Sequence, residues 1–202
     1  MNELYAREML AETCRRLYDR RLTVSAGGNM SVRVGEDRFL ITPSGRNKGL
    51  LDPGDMILMN LKGKALSGGK PSVERGFHAA LYAANPGTGA VIHCHPLHCV
   101  TLAVKGEAVK SALTPEGVLL LGEVPMVGYF APGSRELAEA VGARAGSRAM
   151  ILERHGAITQ GADLEEAYNR MEELEFQAAL QLAAPDAEEL PPAEIKKILR
   201  GK

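Results

Sequence analysis

The stretch of residues 89–98 reads Gly-Ala-Val-Ile-His-Cys-His-Pro-Leu-His. Its short apolar run predicts a buried strand. Side chains alternate along a strand, so His93 and His95 face one side while Cys94 faces the other. Two imidazoles on one side of a strand can hold one metal ion. They do not complete its shell, because catalytic zinc sites usually have three protein ligands and an open position. The rest of the chain must supply the third ligand, a base and a substrate-binding surface.

The composition is that of an ordinary globular protein. The chain has 202 residues, 45% hydrophobic and 24% charged, which suits one α/β domain spanning residues 1–202. A net charge of −1, with 4% aromatic residues and no Trp, argues against nucleic-acid binding. No apolar stretch reaches the ~18 residues that a membrane-spanning helix needs.

The cysteines and the N-terminus predict a cytoplasmic location. Cys14, Cys94 and Cys99 are odd in number, which argues against a disulfide framework and for a reducing compartment. The first residues, Met-Asn-Glu-Leu-Tyr, lack the basic start and apolar core of a signal peptide.

His155 and Glu74 are the candidates for the third ligand and the base. His155 follows the apolar segment 149–152 and precedes Gly156, so it stands near the end of a buried strand. Glu74 lies where a helix is expected to begin at Ser72, so it is either a capping acid or a group that ligates a metal or moves a proton. Three histidines around an open position favour a metalloenzyme, against a structural metal or histidines satisfied in the core.

Two loops rich in small residues are candidate anion sites. Residues 25–31 read Ser-Ala-Gly-Gly-Asn-Met-Ser, and residues 42–46, after a strand predicted over Arg38–Ile41, read Thr-Pro-Ser-Gly-Arg. Such loops let backbone N–H groups approach a phosphate, although either segment alone is also typical of a plain turn.

Five motifs occur in one order, and together they resemble the class II aldolase/adducin family, in particular its L-fuculose-1-phosphate aldolase-like members. The resemblance covers about residues 3–182. The motifs are SAGGNMS (25–31), ITPSG (41–45), PSVERGFH (71–78), HCHPLH (93–98) and ERHG (153–156).

The resemblance implies a fold, an assembly and a metal site. The fold is a single α/β domain with a central, mostly antiparallel sheet flanked by helices on both sides. The assembly is a C4 homotetramer with active sites between subunits. The metal is Zn²⁺, with Mn²⁺ or Co²⁺ also possible, held by His93, His95 and His155, with Glu74 as a resting ligand and as the acid/base in turnover.

The resemblance also implies a substrate and a reaction. Phosphate is held by Gly28 and Asn29 of the first loop, Ser44 and Gly45 of the second loop, and Ser72. The reaction is reversible cleavage of a ketose 1-phosphate, similar to L-fuculose 1-phosphate, to dihydroxyacetone phosphate and an aldehyde through a metal-stabilised enediolate. The alternatives are a sister dehydratase, decarboxylase or epimerase, and a non-catalytic adducin-like binding module. Glu74 argues against the epimerase, which carries Asp at that position.

This sequence departs from the better-known aldolases on the side that handles the aldehyde. Val73 stands where they have a second Ser of the phosphate site, and Thr114 stands where they have a leaving-group Tyr. The tail also lacks their second Tyr. Glu116 is a candidate replacement acid. The aldehyde specificity therefore does not follow from the resemblance.

Overall fold

One sheet of seven strands runs through residues 2–201, the part of the chain that this computed structural model describes. The strands are β1 (Asn29–Arg33), β2 (Arg38–Ile41), β3 (Ile57–Asn60), β4 (Ala90–Cys94), β5 (Met126–Val127), β6 (Ala149–Leu152) and β7 (Gly156–Gly161). Their order across the sheet is β3-β2-β1-β4-β7-β6-β5, with β4 at the centre. Every neighbouring pair is antiparallel except β5 and β6, which are parallel.

Helices connect the strands and cover the sheet. They are α1 (Glu3–Asp19), α2 (Arg75–Ala84), α3 (Leu97–Lys105), α4 (Pro115–Leu120), α5 (Arg135–Gly142), α6 (Leu164–Ala183) and α7 (Pro192–Arg200). Two short 3-10 helices, Lys48–Leu50 and Pro53–Asp55, lie between β2 and β3. Within residues 2–201, no helix has the length and apolar character required to cross a membrane.

Two apolar cores pack on opposite faces of the sheet. Ile92 and Cys94 of β4 belong to the core beneath α1, α3 and α6, whereas Val91 belongs to the core beneath α2 and α5. This alternation follows from the two-residue period of a strand. His93 shares the face of Val91, so its side chain is directed towards α2, which begins just after Glu74.

The structure confirms a single α/β domain with a mostly antiparallel sheet and helices on both faces. The local assignments are less accurate. Helix α2 begins at Arg75, so Glu74 is its N-cap residue, and Ser72 lies before the helix. Residues 124–129, whose apolar composition predicts a short strand, form one only at Met126–Val127. Neither α4 nor β7 was predicted as an element. β7 is defined by pairing with β4 and β6, contacts that short-range sequence patterns do not encode.

Candidate active site

Three histidines converge at the end of the central strand. His93 is the fourth residue of β4 and His95 lies just beyond the strand, with their Nε2 atoms 3.1 Å apart. His155 lies in the turn between β6 and β7. One nitrogen from each of the three rings falls within 4.8 Å of the other two. This spacing allows the three nitrogens to ligate one ion.

Two glycines allow the backbone to pass close to these rings. A Cβ on Gly156 would lie 2.5 Å from the Cys94 carbonyl oxygen and 2.6 Å from His95 Cδ2. Gly28 has φ +68°, and a Cβ there would lie 2.5 Å from the His93 carbonyl oxygen. Any side chain at either position would push the ligand strand aside. The histidine cluster can therefore pack in this way only if the residue after His155 is a glycine.

Each of the three histidine rings can offer a nitrogen lone pair to a metal ion. His93 Nδ1 lies 2.9 Å from the Ala157 carbonyl oxygen; because a carbonyl only accepts, Nδ1 carries the proton and Nε2 is left as the ligand atom. Burial, together with His93 and His155, lowers the pKa of His95 to about 3. Burial and His93 lower the pKa of His155 to about 4. His95 and His155 are therefore neutral at pH 7, as metal ligation requires.

Glu74 completes the cluster. Its Oε2 lies 3.3 Å from His93 Nε2 and its Oε1 lies 3.5 Å from His155 Nε2. Burial raises the pKa of Glu74, but the adjacent His93 and His155 rings and the hydrogen bond from Asn29 outweigh burial and lower it to about 2. The carboxylate makes no capping bond to α2, so the capping interpretation of Glu74 is wrong.

The donor set fits a divalent metal. Within residues 2–201, Glu74 Oε1 is buried without a hydrogen-bond partner, which is costly for an oxygen that has no other ligand. The Nε2 atoms of His93 and His95 lie 3.1 Å apart, and a metal ion bound to both would also stabilise this close approach. Three histidines around an open side are typical of catalytic zinc, and Glu74 adds a carboxylate beside them.

A cavity of about 280 Å³ opens beside the cluster. Its lining combines the predicted loop residues with metal-site residues, namely Gly28, Asn29, Ser44, Gly45, Ser72, Glu74, His95 and His155. Every residue predicted to contact the metal or the phosphate lines this cavity except His93, which belongs to the cluster but is fully buried.

The predicted phosphate residues differ in what they can offer. Both ends of the Asn29 amide already have a partner, because its Nδ2 donates to Glu74 Oε2 at 2.8 Å and its Oδ1 lies 2.6 Å from His78 Nε2. Ser72 Oγ accepts a hydrogen bond from the Glu74 backbone N–H at 3.2 Å. Gly45 adopts φ +71°, and a Cβ there would meet no atom within 4 Å, so Gly45 borders open space.

Lys48 is a cavity residue that sequence reasoning missed. Its side chain is 1% exposed, and Nζ donates to the carbonyl oxygens of Ala26 and Arg46, both at 2.9 Å. It thereby ties the two candidate anion loops together. Among residues 2–201 no carboxylate lies within ion-pair distance of it, and burial lowers its pKa. Nothing in the sequence distinguishes this lysine from a solvent-exposed loop residue.

Two other residues singled out in the sequence have structural partners away from the cluster. His98 Nδ1 pairs with Glu175 Oε1 of α6 at 2.8 Å. Thr114 caps α4 by accepting from the Gly117 N–H, and its hydroxyl also accepts from Gln177 Nε2 at 2.8 Å. Within one chain, neither residue lines the cavity.

Comparison with known protein families agrees with this site. The model of the class II aldolase and adducin N-terminal domain matches residues 8–182. The chain belongs to the class II aldolase and adducin family. The family model therefore spans every strand of the sheet and all the residues of the metal and anion sites.

Relatives within this family carry two different activities in their names. The chain is 35% identical to 3-oxo-tetronate 4-phosphate decarboxylase of Haemophilus influenzae, over 89% of this chain and 88% of the relative. It is 37% identical to L-fuculose phosphate aldolase of Methanocaldococcus jannaschii, over 87% of this chain and 95% of the relative. The crystal structure of YgbL from Escherichia coli superimposes with a TM-score of 0.92 at 33% identity, covering 97% of this chain and 98% of YgbL. Overall similarity to these class II aldolase relatives does not choose between the two activities.

Proposed function

We propose that this class II aldolase family member is a zinc-dependent lyase that cleaves a ketose 1-phosphate similar to L-fuculose 1-phosphate into dihydroxyacetone phosphate and an aldehyde. The observation that carries the proposal is one cavity in which three histidines, the free oxygen of Glu74 and two anion loops meet. His93, His95 and His155 would hold the metal, which supplies Lewis-acid polarisation of the substrate ketone.

The chain's own part of the reaction is proton transfer by Glu74. Cleavage between C3 and C4 of a ketose 1-phosphate leaves the bonding electron pair on the ketone fragment as an enediolate, while the proton of the C4 hydroxyl goes to a base and the aldehyde departs. Protonation of C3 then gives dihydroxyacetone phosphate. In the condensation direction Glu74, ionised at neutral pH, removes that same proton, so reversibility makes it the donor in cleavage.

Decarboxylation is the second candidate function, and the residues that line the cavity support it. In a 3-oxo-tetronate 4-phosphate a single carbon separates the carboxylate from the ketone, so loss of CO2 leaves the same enediolate. Carbon dioxide departs without giving up a hydroxyl proton, so no base is needed on the leaving side. Among the residues 2–201 that line the cavity there is no tyrosine, and Val73, not a hydroxyl residue, stands at its rim. This absence weakens the aldehyde side of the aldolase proposal and leaves its ketone side unchanged.

Product analysis separates the candidates. The metal-loaded protein is incubated with a panel of ketose 1-phosphates and with 3-oxo-tetronate 4-phosphate, and carbonyl products and CO2 are measured. The aldolase proposal expects dihydroxyacetone phosphate with an equal amount of aldehyde. Dihydroxyacetone phosphate with CO2 only would replace it by the decarboxylase, and an unchanged carbon count with loss of water would replace it by a dehydratase. No turnover and no bound metal would indicate a binding module.

Lys48 is expected to strengthen phosphate binding. Its buried ammonium lies beneath both loops without a carboxylate partner among residues 2–201, so a bound phosphate would supply the missing negative charge. We expect Lys48→Met to raise KM for the phosphorylated substrate about tenfold, or ~1.4 kcal/mol, with a smaller change in kcat. Lys64→Met removes the same positive charge at an exposed position and so controls for the change in net charge. An unchanged KM in Lys48→Met would contradict this role.

Two further parts of the proposal come from the family resemblance, namely a C4 homotetramer with active sites between subunits and zinc as the metal. A third part, a cytoplasmic location, comes from the odd number of cysteines and the N-terminal residues. An open cavity that lacks an aldehyde-side acid within one chain is consistent with completion by a neighbouring subunit. Light scattering of the purified protein tests the tetramer, and elemental analysis tests the metal.

A further inference from the structure

A chain of buried side-chain hydrogen bonds ends on Glu74. Tyr82 Oη lies 2.8 Å from Ser31 Oγ, which lies 2.7 Å from His78 Nδ1. On the other side of the ring, His78 Nε2 lies 2.6 Å from Asn29 Oδ1. Asn29 Nδ2 then donates to Glu74 Oε2 at 2.8 Å. The five side chains form one continuous path.

Sequence spacing builds this path from two elements. Glu74, the N-cap residue of α2, is followed at intervals of four residues by His78 and Tyr82 of the helix, so the three side chains lie on one side of it. Asn29 and Ser31 are two residues apart on β1 and so share one face of the strand. The five residues are between 0% and 6% exposed, so water does not substitute for any of these bonds. An apolar contact would hold α2 on the sheet without the desolvation cost, so the polar path needs another reason.

Chemistry fixes the direction of every bond. The Glu74 carboxylate only accepts, so the Asn29 amide nitrogen faces it and the Asn29 oxygen must accept from His78 Nε2–H. Burial, aided by His93, lowers the pKa of His78 to about 3, so the ring is neutral and Nδ1 carries a lone pair. Ser31 therefore donates to Nδ1 and accepts from Tyr82. Each group in the path donates towards Glu74.

The path leaves the two oxygens of Glu74 with different roles. Oε2 is held by Asn29, whereas Oε1 has no hydrogen-bond partner within residues 2–201 and lies 3.5 Å from His155 Nε2. If the Asn29 amide turned over, its oxygen would face the carboxylate and repel it. The tautomer of His78 prevents this, because Nε2–H needs an acceptor opposite it.

We infer that Tyr82, Ser31 and His78 are positioning residues that lock the Asn29 amide as a donor to Glu74 Oε2 and so reserve Oε1 for proton transfer. This inference rests on the proposed function of Glu74 as the proton carrier. None of the three positioning residues lines the cavity. They act on the reaction only through Asn29.

The tautomer of His78 is the direct test. Nitrogen-15 NMR of the zinc-loaded protein, repeated on metal-free protein, distinguishes protonated from unprotonated ring nitrogens, and loss of the signal in His78→Gln assigns it. The expected result is a neutral ring with its proton on Nε2. A proton on Nδ1, or a doubly protonated ring at neutral pH, would overturn the inference whatever the enzyme's activity.

Kinetics of Ser31→Ala then tests the positioning role. We expect kcat to fall about 10- to 100-fold, the usual cost of losing an outer partner of a catalytic group, with KM and metal content little changed. Tyr82→Phe, which removes only the far end of the path, should give a smaller loss. Thr88→Val is the matched control, because it deletes a buried hydroxyl that donates to Gln160 Oε1 at 2.6 Å, outside the cavity.

The outcomes are distinguishable. Equal losses of thermal stability in Ser31→Ala and Thr88→Val, with kcat reduced only in Ser31→Ala, support positioning. A normal kcat in Ser31→Ala overturns it. If the parent protein cleaves no ketose 1-phosphate and no 3-oxo-tetronate 4-phosphate, the proposed function fails and the catalytic role of the path fails with it. The NMR result still decides the bond directions independently.

Discussion

The double substitution His93→Ala/His95→Ala should abolish stoichiometric metal binding and lower turnover by about 10³-fold or more. The reason is that two of the three imidazole ligands are removed, and polarisation of a carbonyl by a metal contributes several kcal/mol, with about 1.4 kcal/mol for each factor of ten in rate. Metal content by elemental analysis and turnover in the product assay measure both effects.

His98→Ala is the matched control for this double substitution. His98 belongs to the same stretch but pairs with Glu175 and does not line the cavity. Its replacement should leave the metal content unchanged and most of the turnover intact. A double variant that retained one metal per chain would contradict the assigned ligand set.

Glu74→Gln should lower turnover by about 10²- to 10⁴-fold while the three histidines still bind metal. An amide of nearly the same shape cannot accept and return a proton at neutral pH, and general acid–base catalysis contributes about this factor. Turnover and metal content are measured on the same preparation, so that loss of the proton carrier is separated from loss of the ion.

Glu175→Gln provides the comparison for Glu74→Gln. Glu175 is also a carboxylate bonded to a histidine, but it serves the start of α3 through the backbone N–H groups of His98 and Cys99. Its substitution should affect stability more than turnover. If Glu74→Gln kept turnover within a few-fold of the parent, Glu74 would not be the proton carrier.

Features encoded by neighbouring residues were predictable from the sequence. The strand Arg38–Ile41 was predicted at its observed bounds, because its apolar residues lie between turn residues. The pairing of His93 with His95 follows from the period of a strand, and their Nε2 atoms are indeed close. His155 and Glu74 entered as candidates from their positions at predicted element ends, and the structure brings both to the same cluster.

Features that depend on tertiary contacts were not predictable. Strand β7 exists because β4 and β6 pair with it on either side. Lys48 became a buried cavity residue because the loops at Ala26 and Arg46 close over its ammonium group. Such burial contradicts the usual exposure of lysine, so the residue type alone predicts the opposite.

The hydrogen-bond path to Glu74 shows the same limit. Glu74 and His78 are four residues apart, a spacing that predicts side chains on the same side of a helix. The two do not bond to each other. Asn29 of β1 stands between them, and the packing of α2 against β1 is a long-range contact. The sequence therefore predicted the members of the site better than their connections.

Solvent deuterium exchange into dihydroxyacetone phosphate tests the central claim most directly, because both the aldolase and the decarboxylase pass through the same enediolate. The zinc-loaded parent protein is incubated with dihydroxyacetone phosphate alone in deuterium oxide and followed by proton NMR. We predict stereospecific exchange of one hydrogen on the hydroxyl-bearing carbon beside the ketone, lost on chelation of the metal and restored by its return. Failure of the fully metal-loaded protein to exchange that hydrogen would contradict the account of His93, His95, His155 and Glu74 as an enediolate-forming site.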